Sequence, residues 1–148
     1  MSAQEEPKKK RSSWVAWLAL AVLVVLVGAI AMPMYGDYTE RSQASEAFLL
    51  MSGAKTPLAE YFADHGKWPP SLEKIVEHTS GKYTDSIVMS KGAGGKADLE
   101  LTARMKAERV HRRIAGTTVL LSTADGGKTW RCRPGTMDVK YVPGSCRN

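Results

Sequence analysis

Between Trp14 and Met34 the chain carries no charged residue of either sign. A helix over this run would be about 31 Å long at about 1.5 Å per residue, close to the thickness of a bilayer's hydrocarbon core. That excludes an ordinary water-facing helix. Cysteine is also scarce, with Cys132 and Cys146 the only two. There is no CxxC pair, and His65, His78 and His111 share no metal-ligand spacing with the cysteines, so they read as solvated surface histidines. No phosphate-binding glycine loop and no nucleophile elbow occurs; Gly92-Ala93-Gly94-Gly95 lacks the context of a dinucleotide fingerprint. Internal repeats and low-complexity tracts are missing too. Together these absences point away from an enzyme and imply no cofactor.

What is present is one chain of 148 residues with a net charge of +6. Once a membrane-length segment and a short tail are set aside, enough remains for one domain with a modest core. Lys8, Lys9, Lys10 and Arg11 stand directly before the apolar run, opposed by Glu5 and Glu6. Positive charge beside a spanning helix keeps that side in the cytoplasm. The expected organisation is a basic cytoplasmic tail over 1–13, a transmembrane helix over 14–34 and an extracytoplasmic head over 35–148. Trp14, Leu18, Val22 and Val25 are the expected anchor, with Pro33 setting a bend at its outer end. A competing reading takes the run as a secretory signal cut at Ala29-Ile30-Ala31, which would release a periplasmic protein. The apolar run is longer than a usual signal core, which favours the uncleaved anchor.

Helical periodicity resumes almost at once beyond Pro33. Tyr38, Ala44, Ala47, Phe48, Met51, Ala54, Leu58, Tyr61 and Phe62 fall at spacings that share one helix face, with Arg41, Gln43, Glu46 and Lys55 largely on the other. Pro57 is expected to kink this helix or end a first segment, and Asp64-His65-Gly66 to stop it. Ser71 suits the cap of a second short helix running to about His78. Four β segments then follow, over residues 83–89, 97–105, 117–123 and 128–133. Lys91-Gly92-Ala93-Gly94-Gly95 reads as a flexible connection, and Asp125-Gly126-Gly127 as a hairpin turn. The expected class is α+β: an antiparallel sheet on the amphipathic half of a long helix.

In an exported domain two nearby cysteines favour a disulfide over two independent buried thiols. Lys106, Arg109, His111, Arg112 and Arg113 form a basic cluster, a candidate contact for DNA, an acidic lipid surface or a glycan. Trp130 and Tyr141 are candidates for stacking on a sugar or nucleotide. The simpler alternatives are a solvated loop and a tryptophan that alternates with Cys132 on a strand and packs on the helix.

Two segments resemble one family. Met32-Pro33-Met34-Tyr35-Gly36-Asp37-Tyr38-Thr39, followed by Arg41 to Ala47, is similar to the helix of type IVa pilins just after its proline. Thr129-Trp130-Arg131-Cys132 and Lys140-Tyr141-Val142-Pro143-Gly144-Ser145-Cys146-Arg147 resemble the pilin C-terminal disulfide loop. Ala59 to Phe62 and Gly66 to Pro69 agree more loosely with the place where pilins leave the long helix. The resemblance covers residues 32–148. It implies a type IV pilin-like fold whose long helix packs on a four-stranded antiparallel sheet with a loop closed by Cys132 and Cys146. It also implies a membrane-anchored subunit that partners with other pilin subunits and the pilus assembly machinery in a filament.

The family's leader ends in glycine and its apolar run carries one glutamate near the start. Here Arg11-Ser12-Ser13-Trp14 precedes the run and no acidic residue lies within it. Neither the peptidase-read glycine nor the assembly glutamate can be carried onto a residue of this chain. Three functional readings follow. The first is a pilus structural subunit serving adhesion, surface motility or DNA uptake. The second is an inner-membrane pilin-like protein that assists or regulates assembly. The third is a cleaved periplasmic binding domain on the same fold.

Overall fold

A computed structural model describes residues 13–147 of the chain, without the side chains of Pro33 and Met34. The basic tail before Ser13 and the bend expected from the Pro33 ring therefore lie outside the described residues. The chain divides between Gly36 and Asp37 into two compact units. In the first, the helix α1 (Ser13–His65) begins, and its apolar side chains are exposed on every side. Trp17, 70% exposed, and Leu26, 57% exposed, are nine residues apart and so lie on opposite faces. None of the described apolar side chains in this segment is buried.

In the second unit the same helix carries a buried stripe: Glu40, Ala44, Ala47, Met51, Ala54 and Leu58, none more than 1% exposed. The alternating four- and three-residue spacing keeps them on one face. Pro57 does not end a segment. Its missing N–H removes the bond to the Gly53 carbonyl, but burial of Ala54 and Leu58 on either side holds the helix to His65. The stop lies where the Asp64-His65-Gly66 run suggests. Gly66 takes the left-handed conformation, and its N–H donates back to the Phe62 carbonyl over 2.8 Å, closing the last turn.

The second short helix is not formed. Only a single 3-10 turn, Leu72–Lys74, occurs, and the Ser71 hydroxyl makes no capping bond. The segment is drawn instead to the sheet, where the Thr79 carbonyl accepts the Ile87 N–H at 2.7 Å. Four strands follow: β1 (Thr84–Lys91), β2 (Leu99–Met105), β3 (Thr118–Thr123) and β4 (Arg131–Pro134). They pair antiparallel in chain order. The register lines up Ile87, Ala103 and Val119 in one row and Met89, Leu101, Leu121 and Cys132 in the next. These rows and the helix stripe form one core with Trp68, Ile114, Met137, Tyr141 and Val142.

The connections are tied down. The glycine-rich link between β1 and β2 is not a free tether, because Gly94 donates to the Pro69 carbonyl and Gly95 accepts from the Trp68 N–H. Trp68 is fully buried, packs tilted against Phe62 with ring centroids 4.4 Å apart and donates its ring N–H to the Ala97 carbonyl. β4 starts only at Arg131. Trp130 precedes it as an irregular residue whose ring N–H reaches the Gly127 carbonyl, and its ring faces Trp68 at 6.4 Å. In that turn the Thr129 hydroxyl and backbone N–H hold the Asp125 carboxyl down at about 2. Any stability it contributes is full above its ordinary value of 3.8 and is lost as the pH falls through about 2.

Glu46 is the main departure from the amphipathic pattern. Instead of facing water, its carboxylate accepts the N–H groups of Lys82, Tyr83 and Thr84 at 2.6–2.8 Å, and the Thr84 hydroxyl at 3.1 Å. These donors stand at the entrance to β1, so the carboxylate caps the sheet from the helix. Burial pushes its pKa up, but the Tyr83, Lys82 and Thr84 donors outweigh burial and hold it below the ordinary value. Gly81 leaves the room: a Cβ there would stand 2.7 Å from the Glu46 carboxylate carbon.

Two outcomes are expected. Glu46→Gln should lower stability by about 1 kcal/mol at pH 7, since a carboxylate accepting several backbone N–H groups is a strong acceptor, discounted here for partial exposure to water. Because the folded-state value is depressed, the gap between wild type and variant should be full above pH 4.5 and close as the pH falls through the folded value. Urea melts from pH 3 to 8 measure it; a gap that stays constant across this range contradicts the capping role. Ala47→Leu should cost about 1–3 kcal/mol by overpacking a position with no free space, read from the same melts.

Candidate functional site

The residues singled out from the sequence fall into three places. Trp14, Leu18, Val22 and Val25 lie on the exposed apolar part of α1. Cys132 and Cys146 are joined, with Cα atoms 4.6 Å apart, and staple the 3-10 turn Gly144–Cys146 to β4. The loop between them returns across the end of the sheet and buries Met137, Tyr141 and Val142. It is also bound to the helix, because the Arg41 side chain donates from Nε to the Lys140 carbonyl at 2.9 Å.

The basic cluster is the third place, and it is not uniformly a solvated loop. His111 Nδ1 lies 2.6 Å from Glu40 Oε1, and Arg113 lies 3.5 Å from the same oxygen and 3.6 Å from Asp37. The Tyr141 hydroxyl first, and then the charges of Glu40 and Asp37, raise the pKa of the Arg113 guanidinium. Gln43 accepts the His111 backbone N–H at 2.7 Å. His111 and Arg113 are thus spent in fastening their loop to the first turns of α1 in this unit. Lys106 is half-buried, while Arg109 and Arg112 remain on the outer surface. Arg109 is the one non-glycine residue with a left-handed backbone among the described residues.

Glu40 was not legible as a fastening residue, although it stands four residues before Ala44 and so belongs to the buried stripe. A glutamate in an alanine-rich face reads as a break in the pattern until the loop that satisfies it is seen. Its Oε2 has no hydrogen-bond partner among the described residues. Tyr141 is core rather than a stacking platform, and Trp130 leans on Trp68. His65 stacks on Tyr61 at 4.1 Å. Among the described residues no group of three or more histidine, cysteine or acidic side chains is placed to hold a metal ion.

A long N-terminal helix, a four-stranded antiparallel meander and a disulfide-closed C-terminal loop together make the α+β fold of type IV pilins. The family model for pilin, a bacterial filament protein, matches residues 40–147, and the chain belongs to the pilin family. It is 39% identical over 138 residues to fimbrial protein EcpC of Eikenella corrodens, covering 88% of each chain. It is 30% identical over 159 residues to the type IV major pilin protein PilE of Neisseria gonorrhoeae, covering 88% of this chain and 91% of that one. A fimbrial protein of Dichelobacter nodosus is 26% identical over 147 residues, at 88% and 92% coverage.

The staple closes a short loop, so the doubly substituted Cys132→Ser, Cys146→Ser chain should lose about 3 kcal/mol. Residues 135–147 should become the first site of limited proteolysis. Equal melting and digestion of oxidised wild type and variant would show the loop to be held by packing alone.

Proposed function

We propose that this protein is a structural subunit of a type IV pilus, held in the inner membrane by residues 14–34 before it joins a filament. The observation that carries this is the contrast along α1. The segment around Trp17 and Val25 exposes apolar side chains on all sides, while the part that follows buries its apolar stripe in a complete head. Apolar side chains exposed all round need lipid or other apolar helices around them. A membrane supplies the first and a bundle of identical subunits the second. Lys8 to Arg11 favour a cytoplasmic N-terminus and a periplasmic head. In the filament the partners are other pilin subunits, delivered by the assembly machinery. Adhesion, surface motility and DNA uptake are the tasks such a filament serves.

The sequence gives one specific reason for a second reading. Arg11-Ser12-Ser13-Trp14 offers no glycine before the apolar run, and no glutamate lies within it. An inner-membrane pilin-like protein that assists or regulates assembly would need neither.

Shearing cells and sequencing the N-terminus of this protein in both fractions distinguishes the two. The subunit reading expects the protein in sheared filaments, with an N-terminus processed close to the start of the apolar run. Retention of the whole protein in the membrane with residues 1–11 intact would reject it in favour of the accessory role.

A further inference from the structure

The exposed cations around the fastened loops are not scattered. Arg41 donates to the Lys140 carbonyl, and Arg113 and His111 bind Glu40. Two loops, around 109–113 and 138–141, are thereby pinned to the same first turns of the helix in the head, residues 37–41. Arg41, Arg109, Arg112 and Lys140 are all exposed on this rim. Among the described residues, Arg109 and Arg112 have no ion-pair partner. The carboxylates nearby are largely occupied: Asp37 and Glu40 face Arg113, and Asp138 accepts the Lys140 N–H. Glu108 is the remaining acidic residue in these loops.

Two further features accompany these charges. Tyr38 is 73% exposed and Val139 is 48% exposed, beside Arg41 and Lys140 respectively. An aromatic and an aliphatic side chain set among cations is the composition of a protein surface at a lipid headgroup layer. In the chain, the helical residues of this rim follow directly after the apolar run. Asp37 follows Met32 by five residues, which is about 8 Å as helix and at most about 18 Å fully extended. A charged surface acts over about 8–10 Å at physiological salt.

We propose that Arg41, Arg109, Arg112 and Lys140, together with exposed Tyr38 and Val139, form a rim that seats the head on anionic phospholipid headgroups while the subunit resides in the membrane. The proposal rests on the reading of residues 14–34 as a spanning segment. The ligand chemistry is the lipid phosphodiester with net negative charge. Arginine donors match phosphate oxygens, and each basic side chain near such a surface strengthens binding by about fivefold at moderate salt. Duplex DNA presents the same phosphates but gives no reason for exposed Tyr38 and Val139.

The test uses the full-length protein in mixed micelles holding equal amounts of phosphatidylglycerol and phosphatidylcholine, with retained lipid counted by native mass spectrometry. Wild type is expected to retain phosphatidylglycerol several-fold over phosphatidylcholine, with the preference falling at 0.5 M salt. The triple variant Arg109→Ala, Arg112→Ala, Lys140→Ala should lose that preference. A control with Lys67→Ala, Lys96→Ala and Lys128→Ala, all exposed elsewhere, should keep it. If the triple variant loses its fold by circular dichroism, Arg109→Ala and Arg112→Ala singly serve instead, each lowering the ratio by up to about fivefold. Equal retention of both lipids by wild type, or an unchanged ratio in the rim variants, overturns the proposal. So does a rim variant that loses binding to random duplex DNA yet keeps its lipid preference. Alkaline extraction of native membranes tests the underlying reading separately: release of wild-type protein rejects the spanning segment, whereas retention with no lipid preference rejects the rim alone.

Discussion

Close approach of one helix face to one sheet face is the constraint on which the head depends. Ala44, Ala47 and Ala54 are fully buried and small. They let the helix settle against the sheet face formed by Ile87, Leu99, Leu101, Ala103 and Val119, with Met51 and Leu58 filling the space between. Larger residues at the alanines would lift the helix and open voids along every strand at once. The order of strands follows from the same seam, since a meander in chain order offers a continuous apolar face of the required width. The disulfide secures the far end of this arrangement, and Trp68 closes the end where the helix stops.

The polar residues along the margin of the seam decide how the loops lie. Glu46 collects three backbone N–H groups at the start of β1, and Glu40 collects His111 and Arg113. A sheet edge and a long loop both leave backbone or charged groups in need of partners, and a carboxylate on a rigid helix supplies them at low cost in entropy. The consequence for function is a division of labour among cations that look alike in the sequence. Arg113 and His111 work inside the fold, and Arg109 and Arg112 face outward.

Much of the fold was legible because its signals are local or periodic. The apolar run, the stripe from Ala44 to Leu58, the helix stop at Gly66 and the turn at Asp125-Gly126-Gly127 need only the residues themselves. The strand segments emerged with ends at most three residues from those expected, and the ends at Met105 and Thr123 unchanged. The short helix after Ser71 did not form, because the Thr79 carbonyl found a partner in Ile87 across the sheet edge. The glycine-rich link was pinned for the same kind of reason, by Trp68 and Pro69. A hydrogen bond to a distant strand leaves no trace in local spacing.

The sequence by itself determined that this chain joins an uncharged membrane-length helix to a small α+β head, and which face of the helix is core. Both follow from hydrophobic periodicity, a property of neighbouring residues. Its two cysteines pointed to the closure of the C-terminal loop. Tertiary structure alone decided the fate of the charged side chains. Glu40 and Glu46 became buried or capping partners, and a basic run was split into fastening and outward-facing residues. Charge pairing depends on which loop folds back over which helical turn, and that is set only when the core has closed.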